Sequence, residues 1–211
     1  MSAAAQDLGF AHAFEPGSSE WTLLLLHGTG GDEHDLIGLG RQLAPNAALL
    51  SPRGQVLENG MPRFFRRLAI GQLDIPDLLA RTDQLASFIS EATDAYGLDA
   101  SKVIAIGLSN GANIAASLLL RHPDRLRAAG LLRPMLPYEP EQIPELTGTD
   151  VLIEAGERDP YSPSEQVTRL TEILRTGGAE VTTTVEPGAG HGLTQDDLRR
   201  RAAWVTTLTS G

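Results

Sequence analysis

The apolar run Val103-Ile104-Ala105-Ile106 leads into Gly107-Leu108-Ser109-Asn110-Gly111 and out into residues 112–120, whose apolar positions have helical spacing. The first segment reads as a strand and the last as a helix, so the pentapeptide between them must turn the chain sharply. At such a turn Ser109 is held in a strained backbone conformation, and Gly107 and Gly111 lack the Cβ atoms that would collide with neighbouring chain. The hydroxyl is presented at the carboxyl edge of the sheet that the strand joins. The first amides and the positive dipole end of the following helix face any negative charge that develops beside it.

The rest of the chain supplies such a sheet. Short apolar runs bounded by turn residues alternate with longer amphipathic stretches, the signature of parallel strands joined by crossover helices. Strands are expected over 22–26, 47–51, 102–106, 128–132, 151–154 and 181–185, with a weaker N-terminal strand around Phe10, His12 and Phe14. Helices are expected over 35–44, 77–96, 111–121, 163–176 and 194–208, with Gly177-Gly178 ending the fourth. The segment 133–150 carries Pro134, Pro137, Pro140 and Pro144 and reads as a structured connector, too short for a large lid. Residues 1–211 are expected to form a single α/β domain, a mostly parallel sheet with helices on both faces.

Composition excludes several classes of function. The formal charge of -10 repels phosphate backbones, so no nucleic acid partner is expected. The basic run Arg199-Arg200-Arg201 reads as a solvated helix face. The chain has no cysteine, which removes disulfides, thiolate nucleophiles and thiolate metal sites. No membrane span is expected, because the most apolar run, Leu23 to Leu26, is far below the roughly 18 to 20 residues a bilayer requires. The opening ten residues lack a basic region followed by an apolar one, so a cytoplasmic location is the expectation.

A serine hydroxyl needs a base to take its proton and an acid to orient that base. Only His122 and His191 lie downstream of Ser109. His122 falls at the far end of the helix leaving the turn and reads as a helix-terminal residue. His191, in Gly188-Ala189-Gly190-His191-Gly192, follows a strand directly and is the candidate base. Asp159 follows the strand at 151–154 and is the candidate acid, with Glu157 as the alternative; Glu154 should lie inside the strand, and Asp196 and Asp197 read as first-turn helix acids. In the glycine-rich loop His27-Gly28-Thr29-Gly30-Gly31, the backbone N–H of Thr29 pairs with that of Asn110 as a candidate oxyanion hole.

Other readings of the glycines fail. Lys102 is the only lysine and no Walker motif is present; Gly28 and Gly30 open a dinucleotide fingerprint that Glu33 breaks. His27 reads as a structural loop residue. His12 and His34 have no partners at ligand spacing, so no metal site and no cofactor are expected.

The segments Leu24 to Gly31, Ser51-Pro52-Arg53-Gly54, Glu58 to Arg67, Gly107 to Gly111 and Gly190-His191-Gly192-Leu193 together resemble the bacterial phospholipase/carboxylesterase family of the α/β-hydrolase superfamily, in its predicted-esterase branch. The resemblance spans nearly the whole chain, and the Glu58 to Arg67 segment is its most specific part. It implies a lidless, cofactor-free hydrolase with the triad Ser109, Asp159 and His191, in agreement with the assignment from chain order. That ordered set reads as a carboxylesterase, and the short connector points to small acyl groups; a thioesterase or lysophospholipase would use the same triad. It also implies a pocket that Phe64 and Phe65 approach, with Met135, Leu136 and Leu193 as apolar neighbours, although ordinary core packing accounts for these residues equally well. Arg63, Arg66 and Arg67 could hold a substrate carboxylate or pair with surface acids. A homodimer is compatible with the sequence, which does not decide it.

Overall fold

The computed structural model describes residues 7–210. Residues 1–6, part of the opening segment inspected for a targeting signal, lie outside them, as does residue 211. In chain order, β1 (His12–Glu15) and β2 (Thr22–Leu26) precede α1 (Ile37–Leu43) and β3 (Ala48–Pro52). Two short hairpins follow, β4 (Val56–Glu58) with β5 (Met61–Arg63), then β6 (Arg67–Ala69) with β7 (Gln72–Leu73). The remainder alternates: α2 (Ile75–Tyr96), β8 (Val103–Leu108), α3 (Asn110–Arg121), β9 (Ala128–Leu132), β10 (Asp150–Gly156), α4 (Ser164–Thr176), β11 (Glu180–Glu186) and α5 (Gln195–Thr209).

The main sheet has seven strands in the order β1-β3-β2-β8-β9-β10-β11, with only β1 antiparallel to its neighbour. The mostly parallel α/β architecture expected from the alternation is therefore present. Period-two alternation divides β2 between two cores. Leu24 and Leu26 join side chains of α2, α3 and α4 on one face, while Leu23 and Leu25 join Ile37, Leu43 and Val205 of α1 and α5 on the other. Because β8, β10 and β11 run parallel, the loops that follow them emerge at one edge of the sheet.

Two departures from expectation have local causes. The hairpins at 56–73 were not anticipated, since their strands are two or three residues long and carry no long apolar run. The turn chemistry was nonetheless visible: Asn59 and Gly60 both adopt positive φ (51° and 80°), the two-residue turn that Asn-Gly favours. The arginine run on α5 is not a solvated face throughout. Arg199 is exposed, but Arg201 is fully buried and donates to Glu154 Oε2 at 2.6 Å, with Glu154 itself fully buried inside β10. Arg200 is a third exposed and pairs with Glu186 and Asp197. Burial raises the pKa of Glu154 against the pull of Arg201, and burial lowers that of Arg201.

Candidate active site

Ser109 sits between β8 and α3 with φ 53° and ψ −111°, a conformation strongly disfavoured for an L-residue. Packing holds it there. A Cβ on Gly107 would lie 2.5 Å from the Gly111 carbonyl oxygen, so this approach tolerates no side chain. The Ser109 N–H donates to Leu132 O at 2.8 Å and its carbonyl accepts from Asn113 N–H at 2.9 Å, fixing the turn between β9 and the first turn of α3.

His191 and Asp159 come from the loops after β11 and β10. Asp159 Oδ2 lies 2.8 Å from His191 Nδ1, and His191 Nε2 lies 2.8 Å from Ser109 Oγ. An ionised carboxylate only accepts, so Nδ1 carries the proton and Nε2 is left to accept from the serine hydroxyl. The Asp159 carboxylate is fully buried, and its Oδ1 accepts from Tyr161 N–H at 2.9 Å. The two loops are sewn together: Arg158 N–H donates to Ala189 O at 2.8 Å, and a Cβ on Gly156 would lie 2.3 Å from Gly190 O. The Tyr161 ring meets the His191 ring edge-on, with centroids 5.2 Å apart.

The other candidates fall elsewhere. Glu157 turns away and accepts from Gly188 N–H at 2.7 Å. His122 caps the C-terminal end of α3 and pairs with Asp83 at 2.7 Å. His27 is buried; its Nδ1 donates to Gly28 O at 2.7 Å and its Nε2 accepts from Gly54 N–H at 2.9 Å. Burial lowers its pKa, holding it neutral against Gly28 O and the nearby acids Asp35, Asp32 and Glu33. Asp196 and Asp197 both lie in the first turn of α5, and Asp197 is wholly buried in a capping box with Thr194. Burial pushes Asp197 up, but the Thr194 N–H and Arg133 outweigh it and leave its pKa below the ordinary value.

Thr29 and Asn110 flank Ser109 in a cleft of about 210 Å³. Neither backbone N–H has a hydrogen-bond partner among the described residues. The Asn110 side chain is buried, accepts from Phe64 N–H at 2.7 Å through Oδ1, and leaves its Nδ2 without a partner. Such a set of unengaged donors beside the Ser109 hydroxyl has the chemistry to receive an oxyanion.

The cleft walls correct the pocket expectation. Met135 lines it, but Phe64 and Phe65 do not: both are buried in the core, where Phe64 packs on His27 with ring centroids 4.7 Å apart. Leu136 packs against the same core, and Leu193 is an exposed side chain away from the lining. In their place stand Arg67, Ile70, Gly71 and Leu73 of the second hairpin, with Asn113 and Tyr161 opposite. The Ile70-Gly71 pair, where Gly71 takes φ 77°, is the turn signal that could have found this hairpin and was not read. The arginines separate. Arg66 pairs outside the cleft with Asp74 and Asp77, whereas Arg63 and Arg67 line it and share one counter-charge, Glu58, at 3.3 and 2.9 Å. Arg63 also donates to Thr29 Oγ1 at 2.6 Å. Among the described residues there is no cluster of three or more His, Cys, Asp or Glu that could hold a metal ion, and no helix is long and apolar enough to cross a membrane.

Comparison with known proteins agrees with this architecture. Residues 70–205 match the model of the dienelactone hydrolase family. MhqD of Bacillus subtilis (strain 168), which bears only the general name of a hydrolase, is 48% identical over 193 residues, 92% of this chain and 96% of that one. The Bacillus cereus carboxylesterase structure superposes with a TM-score of 0.91 at 44% identity, covering 94% of each chain. A carboxylesterase from Mesorhizobium loti does so with a TM-score of 0.90 at 34% identity, covering 97% of this chain and 98% of that one. The esterase-type α/β-hydrolase resemblance read from the sequence therefore stands.

Proposed function

This chain belongs to the dienelactone hydrolase family, and from that membership we propose that it is a serine carboxylesterase hydrolysing small esters through an acyl-enzyme. One observation carries the reading: Ser109 Oγ, His191 and Asp159 form a continuous chain with 2.8 Å at each link. Ser109 attacks the ester carbonyl as Nε2 takes its proton, and the buried Asp159 carboxylate stabilises the imidazolium that results. The Thr29 and Asn110 N–H groups receive the tetrahedral oxyanion, each such donor being worth about 3 to 4 kcal/mol. The imidazolium then protonates the departing alcohol. In the second half, His191 draws a proton from water as the water oxygen attacks the acyl carbonyl, and the imidazolium returns that proton to Ser109 Oγ as the acyl bond to it breaks and the acid leaves.

A fluorophosphonate probe tests this directly. Wild type should be labelled at Ser109, and Ser109→Ala should lose both labelling and ester hydrolysis; unchanged hydrolysis by that variant would sink the proposal. Thioester and lysophospholipid substrates use the same three groups. A cleft of about 210 Å³ favours short acyl chains over both, so a nitrophenyl ester series should peak at short length. A stable ligand complex without turnover would instead mark a binding protein on this fold.

The cleft wall supports a finer reading of the substrate. Arg63 and Arg67 carry two positive charges against the single Glu58, leaving a net positive wall beside Ser109. Esters that bear a carboxylate match it.

A further inference from the structure

Arg133, which follows β9, is a side chain that the triad chemistry does not use. It is fully buried, and its backbone sits at φ 53°, a left-handed conformation that a non-glycine residue adopts at a cost. All three guanidinium nitrogens are engaged. Nε donates to Gly190 O at 3.1 Å, Nη2 to Gly192 O at 3.0 Å, and Nη1 to Glu154 O at 3.0 Å. The charge is met by Asp197 Oδ2 at 2.5 Å, whose same oxygen accepts from Thr194 N–H at 2.8 Å at the start of α5.

Gly190 and Gly192 are the residues on either side of His191. The loop that carries the base contains Gly188, Gly190 and Gly192, so its own backbone has little stiffness. Its neighbour on the other side, Asp159, fixes only the ring nitrogen. What fixes the two peptide groups that aim the ring is one planar fork, anchored to β10 through Glu154 O and to α5 through Asp197. A buried ion pair contributes little net stability, so this one is better accounted for by what it holds in place.

We propose that Arg133 is a positioning residue for the catalytic base, clamping the carbonyls that flank His191 so that its ring spans Ser109 and Asp159. The inference rests on the serine-hydrolase reading above. Lysine keeps the charge toward Asp197 but, as a single ammonium, does not reproduce the fork. In Arg133→Lys the acyl-enzyme step should therefore slow, because a displacement of about 1 Å at a catalytic group costs on the order of 100-fold.

The test compares Arg133→Lys with Arg201→Lys, a second buried arginine with its own buried partner and no contact with the histidine loop. Arg133→Lys should lower kcat by roughly 10- to 100-fold with KM within about twofold, slow fluorophosphonate labelling to the same degree, and weaken the downfield His191 Nδ1 proton in NMR spectra. Arg201→Lys should lose stability while keeping kcat within about twofold. If Arg133→Lys does not fold, the double variant Arg133→Gln/Asp197→Asn replaces the ion pair by neutral groups and carries the same expectation. A folded Arg133 variant with wild-type kcat, or an equal kcat loss in Arg201→Lys, would overturn the inference. Activity retained by Ser109→Ala would instead overturn the reading beneath it, so the two failures are distinguishable.

Discussion

Gly111 packs so closely on Leu26 that a Cβ built on it would lie 2.0 Å from the Leu26 carbonyl oxygen. The contact presses the Ser109 turn against the strand that feeds the Thr29 loop, bringing Ser109 and Thr29 to one cleft. Neither atom is the end of a flexible side chain, so a Gly111→Ala variant must move backbone. Its denaturation midpoint should correspond to a loss of about 3 kcal/mol or more, with esterase activity falling in parallel. Gly97, which ends α2 at φ 65° with open space around it, is the control: alanine there should cost only about 1 to 2 kcal/mol. Equal losses at the two positions would contradict the packing argument.

Asp159 and Glu157 were both candidates for the acid, and their surroundings now separate them. Asp159→Asn keeps the shape of the side chain but lets the His191 tautomer invert. It should lower kcat by about 10³- to 10⁴-fold with the fold intact by circular dichroism. Glu157→Gln loses only a charge on a bond to Gly188 N–H and should stay within about twofold of wild type. Comparable losses would mean that the acid has been misassigned.

The parts that were legible in the sequence are those where one residue's local chemistry dictates its place. The strand, turn and helix around Ser109 had to present the hydroxyl at a sheet edge, and parallel strands had to bring the loops of Asp159 and His191 to that same edge. The cleft walls were not legible, because they depend on how the hairpins at 56–73 fold back over the sheet. Phe64 and Phe65 lie next to cleft-lining Arg63 in the chain yet face the core, and adjacent positions in such a bend carry no periodicity that separates inside from outside. Arg133, Asp197, Glu154 and Arg201 were equally opaque. A buried charge looks like a surface charge in sequence until its partner, 64 residues away for Arg133, is known.

Arg67 is a quarter exposed, on the cleft wall, and shares Glu58 with Arg63. A hydrogen bond from it to a substrate carboxylate would be charge-assisted and only partly screened, worth about 1.5 kcal/mol or more. Arg67→Gln should raise KM for a carboxylate-bearing ester about tenfold and leave a neutral ester of equal length within about twofold. Steady-state kinetics on such a matched pair decide it, and an equal change for both esters would assign Arg67 to hairpin structure alone.

His27 gives the stability of the fold a dependence on pH. Its two ring nitrogens are committed in the neutral form, one donating to Gly28 O and the other accepting from Gly54 N–H, and burial lowers its pKa below the ordinary 6.5. The unfolded chain therefore takes up a proton near pH 6.5 that the folded chain refuses until lower pH, and unfolding binds protons in that window. Stability must then fall as pH drops below 6.5, by up to about 1.4 kcal/mol per pH unit for one proton. His27→Asn should be less stable than wild type at pH 7 but lose less on acidification, so that the two stability curves converge toward pH 5. Urea unfolding at half-unit intervals measures the slopes. Parallel curves would show that His27 does not carry this acid sensitivity.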